Sequence, residues 1–222
     1  MHADQLAPNP PKPGKQARSE RTHSAILDAA EAVIAQRGYA AASINEISQH
    51  AGVTSGALYG RFHGKEDLLN GIFERHRERL HGAFEALCGE INTGTLSLRG
   101  ALERAMQAMV WLYRDNATLV RATNEAAAAS PSLKIKILDF NRQVCAELYR
   151  SLQRYANEVK HPQPALAVKL GHEAGTRLLR AAILNGEVDY RDLASQGITI
   201  DDNVLATQAA RIMEAYLRSN DA

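Results

Sequence analysis

The stretch from Ser43 to Lys65 limits the fold of this chain more than any other. Its apolar residues recur at helical spacing, with Ile44, Ile47 and Ala51 in one run and Leu58 and Phe62 in the next. Between the runs stands Gly52, where a left-handed backbone ends a helix at little steric cost, and then Thr54, a residue type that caps a helix start. Ser43 followed by Glu46 has the spacing of a capping box, in which the hydroxyl takes one free amide and the carboxylate reaches back to another. Val53 fills the corner. The pattern predicts two short helices joined by a tight turn, a helix-turn-helix. Thr54, Ser55, Ala57, Tyr59 and Arg61 fall on the outward side of the second helix, while Leu58 and Phe62 face in. Small hydroxyl, glycyl and methyl groups in its first turn suit close approach to base edges in a major groove.

The rest of the chain reads as more helix. Residues 1–18 hold four prolines with Lys12, Lys15 and Arg18, and are expected to form a disordered or extended arm. Two readings of it stay open: a plain tail, or a basic arm in which Lys15, Arg18 and Arg21 reach phosphates or a minor groove. An amphipathic helix over Ser19–Arg37 buries Ile26, Ala30, Val33 and Ile34, and Gly38 ends it. A longer one runs from Lys65 to about Glu90, with Glu66 and Asp67 in the first turn, where the helix dipole favours them. Further helices are expected over Ser97–Arg114, Thr118–Ala129, Ser132–Val159, Ala165–Asn185 and Asp202–Arg218, with a polar loop over Gly186–Asp201. No strand alternation long enough for a sheet appears, so the fold class is all-α.

Composition narrows the function classes. The 222 residues carry a net charge of +1, which argues against indiscriminate coating of nucleic acid. Up to Lys65 there are seven Lys or Arg against five Asp or Glu, and afterwards 19 against 20, so charge favours a nucleic-acid partner for the first part only slightly. Cys88 and Cys145 lie in apolar helical patterns without Cys-x-x-Cys spacing, the usage of a reducing compartment. No uninterrupted apolar run of about 18 residues and no apolar signal core is present, so a soluble cytoplasmic protein is expected.

At the helix-turn-helix the chain resembles a known family, the tetracycline-repressor-like (TetR/AcrR) transcriptional regulators of prokaryotes. The residues that carry the resemblance are Ala-Gly-Val-Thr at 51–54, Gly-Ala-Leu-Tyr at 56–59, and Phe62 followed by Lys-Glu-Asp-Leu-Leu at 65–69. Arg-Gly-Tyr at 37–39 matches in type and spacing, and the likeness covers roughly residues 20–70. It implies an N-terminal three-helix DNA-binding domain (19–66) and a C-terminal helical domain for effector binding and dimerisation (67–222), connected through the helix that starts at Lys65. Carried over residue by residue, it implies that Thr54, Ser55, Gly56 and Ala57 sit at the groove end of the recognition helix. Tyr59 and Lys65 then meet the phosphate backbone, and Ser43 lies near phosphate or simply caps its own helix. Gly60 departs from the pattern as a mid-helix glycine, costing about 1 kcal/mol in propensity. Arg61 stands where the family commonly has histidine, adding phosphate attraction. A double-stranded operator, read as an inverted repeat by a homodimer, is the implied partner. The implied act is repression relieved by a small-molecule effector; an activator on the same scaffold, or an effector-independent binder, stays open.

Outside the reading head the expectations are coarser. Met106, Met109, Trp111, Tyr113, Phe140 and Tyr149 form the mixture of adaptable and aromatic groups that lines small-molecule cavities, with ordinary core as the other reading; Asn124 and Glu125 either orient a ligand or simply cap and solvate their helix. Trp111 shares its side with Arg104, Gln107 and Arg114, and so either lines a polar-rimmed cavity or caps a surface groove. Ala167, Gly171 and Gly175 fall four apart, and with Leu178, Leu179 and Ala182 make a flat strip for a dimer partner; packing inside the chain is the other reading. Leu205, Ala209, Ile212 and Tyr216 make the matching face of the last helix. No metalloprotease, phosphate-loop, nucleophile-elbow or dinucleotide motif occurs, so neither catalysis nor a cofactor or metal is expected.

Overall fold

The computed structural model describes residues 14–220. Among the described residues ten α-helices follow one another and no strand occurs. They divide into two compact units, one ending at Gly71 and the other beginning at Ile72.

The first unit holds α1 (Lys15–Ala41), α2 (Ile44–His50), α3 (Ser55–Tyr59) and the beginning of α4 (Lys65–Asn92). Its core is Ile26, Leu27, Ala30, Val33 and Ile34 of α1 with Ile47, Leu58, Phe62, Leu68 and Leu69. The helical spacing of these positions is what the sequence displays. Gly38 interrupts α1 with φ +78° and ψ 164°, a backbone essentially reserved for glycine, and redirects the chain before α2. The proline-rich arm expected over 1–18 lies, for residues 1–13, outside the described residues. From Lys15 the chain is already helical, so Arg18 and Arg21 belong to α1 and not to an extended arm.

The second unit contains the rest of α4, then α5 (Leu98–Asp115), α6 (Ala117–Ala129), α7 (Pro131–Leu152), α8 (Pro164–Arg180), the short α9 (Arg191–Ala194) and α10 (Asp202–Leu217). Side-chain caps open α5, α7 and α10, where Ser97, Ser130 and Asp201 accept from the backbone N–H three residues on. Two helices end sooner than their periodicity suggests. α7 stops at Leu152, and a 3-10 turn follows. There Tyr155 Oη donates to Leu96 O at 2.9 Å and Arg154 Nη1 donates to Ile91 O at 2.9 Å, drawing the chain onto the end of α4. α8 passes at Ala181 into a π-turn through Asn185, whose Leu184 carbonyl accepts from Arg121 Nε at 2.8 Å.

The strip of small residues on α8 does not face outward. Ala167, Gly171, Gly175 and Leu179 are buried within the chain, as are Leu205 and Ala209 of α10. A Cβ added at Gly171 would meet Met213 Cγ at 2.9 Å, and one at Gly175 would meet Met106 Sδ at 3.0 Å and Ala209 Cβ at 3.6 Å. The glycines let α10 and α5 lie close against α8 inside one protomer, which corrects their assignment to a dimer interface. Leu178, Ala182 and Tyr216 are half-buried against the same core, and Tyr216 meets the His161 ring edge-on at 4.9 Å. Of the expected interface only Ile212 is exposed. Large apolar surface is instead open at Leu166 and Leu170 of α8.

His172 is buried between α7 and α8, its Nδ1 3.4 Å from Cys145 Sγ. Burial depresses its pKa to about 4, and burial likewise pushes the Cys145 thiol up. A histidine whose folded pKa lies below its unfolded value stabilises fully above pH 6.5, and that contribution is lost as pH falls toward 4. Urea unfolding between pH 7 and 4.5 is therefore expected to show a loss that approaches about 3 kcal/mol by pH 4 from this group alone. In His172→Gln that part of the pH dependence should vanish. A second expectation concerns packing: Gly171→Leu should destabilise the chain by about 1–3 kcal/mol through collision with Met213. Leu170→Ser, on the open side of the same helix, should leave monomer unfolding nearly unchanged.

Candidate nucleic-acid interface

The outward turn of α3 is built from α2 upward. Ser43 caps α2, its Oγ accepting Glu46 N–H at 3.2 Å. The reciprocal half of the expected capping box is replaced, because the Glu46 carboxylate pairs with the Arg37 guanidinium of α1. A charged partner wins over a neutral amide. α2 ends in a Schellman motif: Gly52 at φ +65° donates to Gln49 O at 3.1 Å, and Val53 donates to Ser48 O at 3.0 Å. That double closure fixes the direction in which the chain leaves α2. Thr54 then caps α3, its Oγ1 accepting Ala57 N–H at 3.1 Å.

α3 is only five residues long, too short to be helical by itself. Leu58 is fully buried and Phe62 nearly so, with the Phe62 ring stacked on His23 at 4.9 Å. Opposite these anchors, Thr54, Gly56, Tyr59 and Arg61 are exposed, and Ser55 and Ala57 half-exposed. Tyr59 is 54% exposed, unusual for so large a ring. Arg61 Nη1 folds back to donate to Ala57 O at 3.1 Å. The expected DNA-contacting residues from Thr54 to Arg61 thus share one surface-facing segment.

Lys65 has a more specific role than its position suggested. Its ammonium donates to Tyr39 O at 2.9 Å and Ala40 O at 3.0 Å and lies 4.9 Å above the Tyr39 ring. It closes the end of α1 onto the start of α4, with one N–H left over. Gly60 also differs from expectation. It is the residue after α3, at φ −67° and ψ −9°, so no mid-helix penalty applies. A further bond joins α2 to α3: Asn45 Oδ1 accepts from the Ser55 hydroxyl at 3.2 Å, ten residues away. Only the turn geometry brings these two together, so no short-range spacing announces the pair.

The proposed effector residues do not form one lining. Met106 and Tyr113 are buried in the core, Tyr113 beneath the Arg180 guanidinium at 5.8 Å. Met109 and Tyr149 pack on the same core, and Phe140 meets Phe73 edge-on at 6.4 Å. Asn124 faces solvent, and Trp111 is 52% exposed on the α5 surface that carries the Arg104–Glu90 and Arg114–Asp202 ion pairs. A cleft of about 420 Å³ lies elsewhere, between α4 and α7, lined by Glu85, Cys88, Asn92, Glu147, Arg150 and Ser151, together with Gly89. None of the seven expected residues borders it. Among the described residues no three His, Cys, Asp or Glu side chains converge as a metal site, and no helix is long and apolar enough to cross a membrane.

Comparison with known proteins matches residues 26–72 to the family described as bacterial regulatory proteins, tetR family. The A-factor receptor protein of Streptomyces griseus is 45% identical over 60 residues, 27% of this chain and 22% of that protein. The HTH-type transcriptional repressor BepR of Brucella suis is 42% identical over 62 residues, 28% of this chain and 30% of that one. The chain thus spans less than a third of the length of these curated relatives. A solved TetR-family transcriptional regulator from Mesorhizobium loti superposes with a TM-score of 0.69 at 18% identity, over 90% of this chain and 96% of its own, a likeness of fold.

Gly60 allows a direct check of the local backbone. A Cβ there would come no closer than 3.5 Å to Gly56 O, and the φ suits any residue. Gly60→Ala is therefore expected to stabilise the chain by about 0.4–1 kcal/mol, through reduced freedom of the unfolded state. A lower thermal midpoint in this variant would contradict the assignment of Gly60 to the end of α3.

Proposed function

Because residues 26–72 match the tetR family of bacterial regulatory proteins, we propose that this chain is a DNA-binding transcriptional regulator of that family, acting as a repressor. The observation that carries this reading is the surface-facing α3, anchored by Leu58 and Phe62 with its opposite side left open. Thr54, Ser55, Gly56 and Ala57 face the base edges. Tyr59, Arg61 and the remaining N–H of Lys65 meet phosphates, which fix register without reading sequence.

One such helix reads few base pairs, so two copies act together on an inverted repeat. The small strip on α8 is occupied within the protomer; the exposed Leu166 and Leu170 of α8 and Ile212 of α10, on the two helices that carry that strip and its matching face, are the surface through which the copies pair. A small-molecule effector releases the operator by binding the two states of the dimer unequally, the condition for any ligand to shift such an equilibrium. Residues 67–222 carry pairing and effector response, and α4 is the covalent route between them and the reading head.

Selection of duplexes from a random library by the purified chain tests the reading. An inverted repeat should emerge, with half-sites about one helical turn or a multiple apart. Its affinity should fall steeply with salt. Failure to enrich any duplex at low salt would refute DNA binding. Tyr59→Phe should weaken selected and random duplexes alike. Leu170→Glu should yield monomers by sedimentation and lose cooperative binding to the repeat, while thermal unfolding of the protomer stays near wild type.

A further inference from the structure

The hydroxyl hydrogen of Ser55 is not used by its own helix. Ser55 Oγ donates to Asn45 Oδ1 at 3.2 Å, across the turn between α2 and α3. A serine hydroxyl has one hydrogen and two acceptor lone pairs. With the hydrogen directed at Asn45, only lone pairs face whatever approaches α3. Phosphate oxygens are themselves acceptors and gain nothing there, whereas a base amino group is a donor. Thr54 has the reverse polarity: its Oγ1 already accepts Ala57 N–H at 3.1 Å and its hydrogen remains to be donated. Steric access is open, since a Cβ added at the neighbouring Gly56 would meet nothing nearer than Thr54 Oγ1 at 4.0 Å.

We infer that Asn45 is a positioning residue that sets Ser55 as a hydrogen-bond acceptor, so that Ser55 reads an exocyclic amino group, N6 of adenine or N4 of cytosine, in the major groove. The same bond turns the amide N–H groups of Asn45, an exposed residue, away from Ser55, where they are free to donate to a phosphate. This inference rests on the DNA-binding reading above and adds to it the chemistry of one base contact.

The test uses the full chain and the half-site it enriches from a random library. Each adenine of that half-site is replaced in turn by purine, and each cytosine by pyrimidin-2-one, which removes only the amino group. Wild type should lose about five- to tenfold in affinity at one position. Ser55→Ala should show no penalty there. In Asn45→Ala the freed hydroxyl can turn and donate, so the penalty should shrink below about twofold. Asn45→Asp keeps an acceptor for the hydroxyl, so it should retain the penalty while binding every duplex more weakly. Absence of any Ser55-dependent amino penalty, or a full penalty in Asn45→Ala, would overturn the inference while leaving DNA binding intact. Failure to enrich any duplex would remove DNA binding itself and this contact with it. Circular dichroism of the Asn45 variants should match wild type, because the side chain is exposed.

Discussion

Burial of Leu58 and Phe62 is the interaction on which the reading head depends. A five-residue helix cannot hold its own shape in water, since nucleating a turn fixes several dihedrals for a single hydrogen bond. α3 is helical because two side chains on one side of it are inside the core and because the closures at Gly52 and Thr54 bring it there at a fixed angle. Everything on the opposite side inherits its position from that pair. Truncating either anchor, at the several kcal/mol typical of core leucine and phenylalanine, removes orientation as well as stability.

What could be read from the sequence follows this logic. The turn, its caps and the inward residues of the first unit were legible because each is a local device, encoded within four or five residues. Helix ends that depend on distant partners were not. α7 stops at Leu152 because Arg154 and Tyr155 bond carbonyls near the end of α4, about sixty positions earlier. The Asn45–Ser55 bond and the Lys65 closure of α1 share this character. Each joins residues whose proximity exists only after the chain has folded.

The strip at Ala167, Gly171 and Gly175 shows a different limit. Small residues at four-residue spacing announce that another helix lies close, and one does. They carry no information about whether that helix belongs to the same chain. On the other side of α8, Leu166 and Leu170 are large, apolar and uncovered. Trp111 illustrates the converse case, since its polar neighbours Arg104 and Arg114 hold ion pairs on the protein's surface, and the aromatic residue stays outside with them.

Hydrogen-bond polarity links the head's construction to its proposed use. The bonds that assemble it consume acceptors at Ser43 and Thr54, whose hydroxyl oxygens take backbone N–H groups. They consume two of three ammonium hydrogens at Lys65 and one guanidinium nitrogen at Arg61. Donors are therefore left over at Thr54, Lys65 and Arg61, and a phosphate backbone offers only acceptors. Of the hydroxyls at Ser43, Thr54 and Ser55, that of Ser55 has its hydrogen committed, and it lies in the first turn of α3, the turn proposed to face base edges. The intramolecular bonds that hold the head together thus leave donors for the part of DNA that is the same everywhere and an acceptor for the part that varies.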